Sequence, residues 1–220
     1  MKEYPYIETR RGIPTVLHLD ERRSAKVKKI NRGLFSQIYE NLDAPEIFAV
    51  TSAKKEDYSK EIVANAIDWR SPNPYLPKIQ KLGYLSDSSV IYGMPKYRAP
   101  LTKAASAVAW SEARVLQKCL STASDQLLSV SYDYGYQVNH LVVECAKQSG
   151  LSRVLVDAIE VLASNAADYS QSYMFEFPVR NLATDASGHL VLLDVLFDLE
   201  VTRRINRERA AKAWLTNRGY

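Results

Sequence analysis

The hydrophobic pattern of this chain changes character near Pro100. Before that point, short apolar runs bounded by turn residues are typical of β-strands, and residues 55–69 have the apolar spacing of a helix. Three prolines between residues 72 and 77 end that helix, because proline removes a backbone donor and clashes with the preceding turn. The predicted strands lie at residues 26–39 (a pair hinged near Gly33), 46–51, 78–85 and 89–94.

Helical spacing dominates the second half of the chain. Thr102 is the predicted N-cap of a long helix, and Gly150 ends a second one. The other predicted elements are a helix at 151–167, a hairpin of strands 181–184 and 189–195 with its turn at 185–188, and a basic helix at 203–215. The pattern favours an α+β fold with a β-rich part at residues 1–100 and a helical part at 101–220.

The lengths of apolar runs and the positions of the cysteines limit the classes of protein to which the chain can belong. No stretch approaches the ~20 apolar residues that a membrane-spanning helix needs, and no signal peptide is expected. Cys119 and Cys145 are far apart and each falls among apolar residues at helical spacing, so both are predicted to be buried, unreactive thiols. These features favour a reducing, cytosolic compartment and no membrane partner.

Charge is unevenly distributed along the chain. The net charge is +4, but residues 1–32 and residues 201–220 each carry an excess of five positive charges, so the middle is acidic. Basic ends can suit nucleic acid or an acidic protein surface, and a solvated terminal helix is the simpler interpretation. Zinc-finger spacing and aromatic RNA-binding motifs are missing from the sequence, so nucleic acid is an unlikely partner.

The predicted hairpin carries the most informative polar residues. Glu176 stands five residues before Asn181, and Asp194 ends the second strand. A carboxylate that orients an attacking hydroxyl, together with an asparagine and an aspartate that bind Mg²⁺, is the set that phosphoryl transfer requires. A rigid hairpin can place all three around one point. The alternative is an ordinary hairpin with Asn181 in a turn and Asp194 at a strand end.

This arrangement resembles the catalytic loop and metal-binding segment of protein kinases, and especially the small early protein kinases of T7-like bacteriophages. The glycine-rich hairpin of those phage kinases is matched by Gly33, Phe35, Ser36 and Tyr39, and Met94 lies in the strand that would contact adenine. The resemblance covers about residues 26–198. It implies a two-lobed protein-kinase-like fold with a reduced helical C-lobe, ATP and Mg²⁺ as ligands, and a host bacterial protein as partner in the host cytoplasm.

Several positions depart from the kinase pattern. Asn31 replaces the first loop glycine, and Ala49 stands where the phosphate-binding lysine of the strand is expected. Loss of such a preorganised contact commonly costs about 3–4 kcal/mol in the transition state. Lys54 or Lys55 are candidates to replace that lysine, and Glu61 is a candidate for the helix carboxylate that would pair with it.

A further departure affects the catalytic position itself, where Glu176 replaces an aspartate and extends the carboxylate by one methylene. A misplacement of about 1 Å can cost on the order of 100-fold in rate. We therefore predict a degenerate, host-takeover kinase (a pseudokinase) that binds a host protein and retains a nucleotide–metal site at Asn181 and Asp194. The alternatives are an active serine/threonine protein kinase and a nucleic-acid-binding module that uses the basic C-terminal helix.

Overall fold

The strands of the first hundred residues form one antiparallel sheet in the computed structural model, which describes residues 4–32, 36–52, 57–127 and 133–217. The sheet comprises β1 (Tyr6–Arg10), β2 (Ile13–His18), β3 (Ser24–Arg32), β4 (Ser36–Asn41), β5 (Glu46–Thr51), β6 (Gln80–Tyr84) and β7 (Val90–Pro95). Its strand order is β1-β2-β3-β4-β5-β7-β6. Most neighbours in the sheet are also neighbours in sequence, as expected for strands joined by short turns.

The helices and two small hairpins follow the sheet, apart from one helix inserted between β5 and β6. They are α1 (Ser59–Asn65), α2 (Ala107–Gln126), α3 (Tyr134–Gln148), α4 (Arg153–Tyr169), β8 (Tyr173–Phe175), β9 (Leu182–Thr184), β10 (Leu190–Leu192), β11 (Leu196–Asp198) and α5 (Leu199–Asn217). β9 pairs with β10 and β8 pairs with β11, both antiparallel. No helix among the described residues combines the length and apolar character required to cross a bilayer. The α+β prediction is confirmed.

Two apolar clusters hold these elements together, one on each face of the sheet. Ala49 belongs to the larger cluster, which continues through α1, α2, α3 and α4, whereas Phe48 belongs to the smaller cluster on the outer face. Successive residues of a strand point to opposite faces, which explains the division. The larger cluster is the main core and joins the sheet to the helices.

Asn139 on α3 fixes the position of β8 within this core. Its side-chain amide donates to the carbonyl of Tyr173 at 2.9 Å, and its amide oxygen accepts from the backbone N–H of Phe175 at 2.8 Å. Asn139 is buried, so these two bonds satisfy peptide groups that water does not reach. β8 therefore has a defined position against α3, and with it the residue that follows, Glu176.

Replacing Asn139 by alanine is expected to lower the free energy of unfolding by about 2–4 kcal/mol, because two buried peptide groups lose their partners. Urea denaturation measures the change. His140→Ala is the matched control, since His140 is exposed on the same helix and its loss should change stability by less than about 0.5 kcal/mol. Equal stabilities of the two variants would contradict this assignment.

The structure corrects two element predictions. α1 covers Ser59–Asn65 rather than residues 55–69, because the helix closes at Ala66 and the apolar Trp69 beyond it is exposed. Residues 53–56 lie outside the described residues. The N-cap of α2 is Ser106, whose hydroxyl accepts from the backbone N–H of Ala109 at 3.2 Å, whereas Thr102 caps only the preceding turn.

The prediction of two unreactive thiols is wrong. A disulfide joins Cys119 on α2 to Cys145 on α3, with the two Cα atoms 5.5 Å apart. Both cysteines lie where α2 packs on α3, which brings residues 26 positions apart into contact. The cytosolic location was inferred partly from unpaired cysteines and stays a prediction.

Candidate active site

A cavity of about 870 Å³ lies between the sheet and the chain segments around β8–β11. We call it the central cavity. Its lining from the sheet includes Asn31, Ser36, Ile38, Ile47 and Met94, and its lining from the other side includes Lys60, Glu176, Arg180, Asn181, Asp194 and Thr202. The structure thus brings together Ser36, Met94 and the three polar residues of the predicted hairpin. Gly33 and Phe35 lie outside the described residues.

Backbone hydrogen bonds fix the segments that carry these three polar residues. The N–H of Glu176 donates to the carbonyl of Val195 at 2.8 Å, which ties the end of β8 to the start of β11. The carbonyl of Asn181, in a single 3₁₀ turn, accepts from the N–H groups of Leu193 and Asp194 at 3.1 and 3.2 Å. The segments before and after the β9–β10 hairpin are therefore held side by side.

Glu176 and Asn181 are in direct contact. The amide nitrogen of Asn181 donates to Oε1 of Glu176 at 2.8 Å, and the Arg180 guanidinium lies 3.8 Å from Oε2. Burial raises the pKa of Glu176 and the nearby Asp194 carboxylate raises it further, while Arg180 and the Asn181 amide oppose the shift. Glu176 is thus a carboxylate that accepts a proton more readily than an exposed glutamate does.

Lys60 on α1 is a feature of the central cavity that the sequence analysis did not identify. Its ammonium Nζ lies 3.1 Å from Oδ1 of Asp194, a residue 134 positions away. The Lys60 side chain is only 9% exposed, whereas that of Asp194 is 50% exposed. One partner is therefore buried, and the other is exposed in the cavity.

Two carboxylates keep Lys60 charged despite its burial. Burial alone would lower the pKa of Lys60, but attraction to Asp194 and Asp57 outweighs this effect and the pKa is raised. Asp57 is itself buried, and burial raises its pKa although Lys60 and the Ser59 hydroxyl oppose the shift. The side chain of Asp57 accepts hydrogen bonds from both the N–H and the hydroxyl of Ser59. A positive charge is thus held at the inner wall of the cavity.

Ala49 lies on the sheet face that borders the same cavity. It is fully buried and pairs across the sheet with Ile38, which lines the cavity, as does Ile47 two residues earlier on β5. An alanine there provides no cation. The buried cation among the described lining residues therefore belongs to α1 and not to β5.

The structure also locates the other residues proposed for ion pairing. Glu61 does not face a lysine of the cavity, as the kinase resemblance suggested, but pairs with Lys81 on β6 at 3.2 Å. Adjacent positions on a helix point about 100° apart, which is why Lys60 turns inward and Glu61 does not. Lys54 and Lys55 lie outside the described residues.

One sequence feature could have identified Lys60. It precedes Val63 by three positions and Ala64 by four, so it shares a helix face with residues that pack in the core. A lysine on the apolar face of a short helix is rarely buried without an acidic partner. The identity of that partner, Asp194, depends on the tertiary fold.

The donor set suits a magnesium–nucleotide complex better than a free metal ion. No group of three or more His, Cys, Asp and Glu side chains positioned to hold a metal occurs in the described part of the chain. Magnesium commonly uses one or two protein carboxylates together with phosphate oxygens and water, and Asp194 with the amide oxygen of Asn181 fits that pattern.

Comparison of the chain with models of protein families, with characterised proteins and with solved structures finds no match.

Proposed function

We propose that this chain is a protein-kinase-like enzyme that binds ATP in the central cavity and transfers the γ-phosphoryl group to a hydroxyl group of a protein. The observation that carries the proposal is the Lys60–Asp194 contact of 3.1 Å in a cavity that also holds Glu176 and Asn181. In this proposal the sheet and the helical part are the two lobes of a kinase-like fold. The partner is a host bacterial protein in the host cytoplasm, in line with the resemblance to phage kinases.

The lining of the central cavity combines apolar surface with positive charge, as a nucleotide requires. Ile38, Ile47 and Met94 on the sheet side provide apolar surface from which water can be excluded around a purine base, and Leu196 and Phe197 add to it from the opposite side. Lys60, Arg180 and Lys96 provide positive charge for the phosphates. One cavity can therefore bind both parts of ATP.

Glu176 is the proton acceptor of the proposed reaction. The oxygen of the substrate hydroxyl forms a bond to the γ-phosphorus, the bond from that phosphorus to the β–γ bridging oxygen breaks, and ADP leaves with the electron pair. The hydroxyl proton passes to the carboxylate of Glu176, whose pKa is raised toward the working pH. The Asn181 amide holds that carboxylate in place through its 2.8 Å hydrogen bond.

Lys60 and Asp194 bind the nucleotide in this proposal. Lys60 attracts the α- and β-phosphates, and this contact replaces the missing strand lysine at Ala49. Asp194 and Asn181 are the residues that would hold Mg²⁺, which neutralises charge on the β- and γ-phosphates when bound. The partial burial of the site strengthens each electrostatic contact relative to water.

A second candidate is a pseudokinase that binds ATP without transferring phosphate. It is favoured by the Asn181–Glu176 hydrogen bond of 2.8 Å, which engages two proposed catalytic groups with each other. Glu176 is also one methylene longer than the aspartate of the kinase pattern, which is a further reason to expect binding without transfer. In that case the protein acts on its host partner by binding.

The function is tested by incubating the protein with labelled ATP, Mg²⁺ and bacterial lysate, and by comparing the wild type with Asp194→Ala. Label on protein that depends on Asp194 supports the kinase. In parallel, ATP with Mg²⁺ at 100 times its dissociation constant should stabilise the folded state by about 2.7 kcal/mol in a thermal unfolding assay. Stabilisation without label supports the pseudokinase, and the absence of both contradicts either form of the proposal.

The ratio kcat/KM is expected to fall at low pH with an apparent pKa above that of an ordinary glutamate, because Glu176 accepts a proton only when ionised and its pKa is raised. Arg180→Ala should move this acid limb to higher pH, since the guanidinium lowers the pKa of Glu176. Arg153→Ala is the control, because Arg153 pairs with Asp157 on α4. An acid limb that moves to lower pH in Arg180→Ala would contradict the role given to Glu176.

A further inference from the structure

A second large cavity, about 950 Å³ in volume, runs between the first half of α5 and the ends of α1 and α4. We call it the α5 groove. Its walls include Tyr58, Tyr169, Arg203, Arg204 and Arg207. Three arginines line one side, and two tyrosines whose ring centres are 5.8 Å apart lie on the other.

Hydrogen bonds between elements hold the tyrosine wall in place. The backbone N–H of Tyr58 donates to the hydroxyl of Tyr173 at 2.7 Å, and the side chain of Asn65 donates to the hydroxyl of Tyr169 at 2.7 Å. The first turn of α5, which leads into the arginine wall, is also held in place. There the side chain of Asp198 accepts a hydrogen bond from the backbone N–H of Val201. The groove is thus formed by fixed elements.

The arginine wall attracts anionic groups. Arg203 and Arg207 are exposed and lie one helical turn apart, so both present guanidinium groups to the same groove. Guanidinium groups bind carboxylates through paired, charge-assisted hydrogen bonds, and tyrosines contribute contact area at low entropic cost. An acidic polypeptide segment therefore complements this surface in charge and in shape.

The acidic residues of the groove favour a polypeptide over a nucleic acid. Asp198 and Glu200 line the groove at the N-terminal end of α5. Asp198 is buried and its side chain already accepts from Ser172, Glu200 and Val201, so Glu200 is the carboxylate that faces a ligand. The Glu200 carboxylate would repel a continuous phosphate backbone, whereas a polypeptide brings backbone N–H donors that can bind it. The mixture of three arginines and one exposed carboxylate thus matches a peptide that carries a few acidic side chains.

The α5 groove and the central cavity share the first turn of α5 as a common wall. Thr202 lines the central cavity, whereas its neighbours Val201 and Arg203 line the groove. The two sites therefore lie on different faces of the first turn of α5.

We propose that the α5 groove binds an acidic segment of the protein substrate. This inference rests on the proposed function and adds to it the class of substrate. Arg203 and Arg207 bind the acidic side chains, and the Tyr58–Tyr169 wall packs against the peptide.

A glutamate-rich fluorescent peptide that contains a serine tests the groove in a binding assay without ATP. The wild type is expected to bind it about 10- to 100-fold more tightly than the Arg203→Gln, Arg207→Gln double variant. Arg209→Gln is the matched control, because Arg209 is exposed on α5 but does not line the groove. Equal affinity of the wild type and the double variant overturns the proposal.

Two further measurements separate this inference from the proposed function. A peptide with glutamines in place of the glutamates should bind weakly. The second measurement is competition by a uridine oligonucleotide of equal length. The peptide assignment is overturned if the oligonucleotide displaces the acidic peptide and its binding depends on Arg203 and Arg207. Where phosphoryl transfer occurs, the double variant should raise KM for the acidic peptide with kcat unchanged. Arginine-dependent peptide binding without any transfer supports the groove and contradicts only the kinase.

Discussion

Lys60→Met is expected to reduce the rate of phosphoryl transfer by about 100- to 1000-fold, the usual cost of removing one preorganised electrostatic contact from an active site. Lys60 is the buried cation of the described cavity lining, and its charge is maintained by Asp194 and Asp57. Methionine retains much of the volume and apolar stem of lysine but carries no charge. The variant therefore removes attraction for the phosphates with little change in packing.

Lys81→Met is the matched control for this substitution. Lys81 also forms a 3.2 Å ion pair with a carboxylate, but its partner is Glu61 on the outward side of α1. The same chemical change at Lys81 should alter transfer by less than about threefold, because Lys81 does not line the central cavity. Initial rates with a protein substrate, together with the dissociation constant for ATP, measure both variants. Equal rates in Lys60→Met and Lys81→Met would exclude a role for Lys60.

Folding must be checked separately, because Lys60→Met leaves Asp57 buried without its cation. The pKa of Asp57 is already raised by burial, and loss of the attraction from Lys60 should raise it further. The double variant Asp57→Asn, Lys60→Met removes both charges and is expected to recover stability but not activity. A thermal unfolding measurement on the single and double variants thus separates the structural role of Lys60 from its role in binding phosphate.

Local patterns predicted much of the fold. β5 occupies the predicted range Glu46–Thr51, and the β9–β10 hairpin forms around the predicted turn at residues 185–188. Both depend on a short apolar run or on turn chemistry within a few positions, which a sequence displays directly. Asn181 and Asp194 flank the β9–β10 hairpin, whereas Glu176 is brought to them by the pairing of β8 with β11.

Contacts between residues far apart in the sequence could not be predicted from such local patterns. The Lys60–Asp194 pair spans 134 positions, and the disulfide between Cys119 and Cys145 depends on how α2 packs on α3. Spacing along one segment gives the face of a residue but not the element that will cover that face. The sequence therefore suggested a cation lost at Ala49, whereas the fold places Lys60 beside the same cavity from another element.

Asp194→Asn is expected to abolish measurable phosphoryl transfer, a loss of at least about 100-fold, because it removes the carboxylate proposed to bind Mg²⁺ and half of the contact with Lys60. Asparagine keeps the size and shape of the side chain, so the segment from Leu193 to Val195 should retain its backbone hydrogen bonds. The attraction that raises the pKa of Lys60 is also reduced, which leaves Asp57 as its remaining carboxylate neighbour.

Asp157→Asn is the control for Asp194→Asn, since Asp157 has a similar exposure (48% against 50%) and also pairs with a cation, but on the outer surface of α4. The most specific readout is the effect of Mg²⁺ on ATP affinity. Mg²⁺ should tighten ATP binding to the wild type and to Asp157→Asn, and should lose that effect in Asp194→Asn. If Mg²⁺ tightens binding equally in all three proteins, Asp194 is not a metal ligand, and its pairing with Lys60 serves the fold alone.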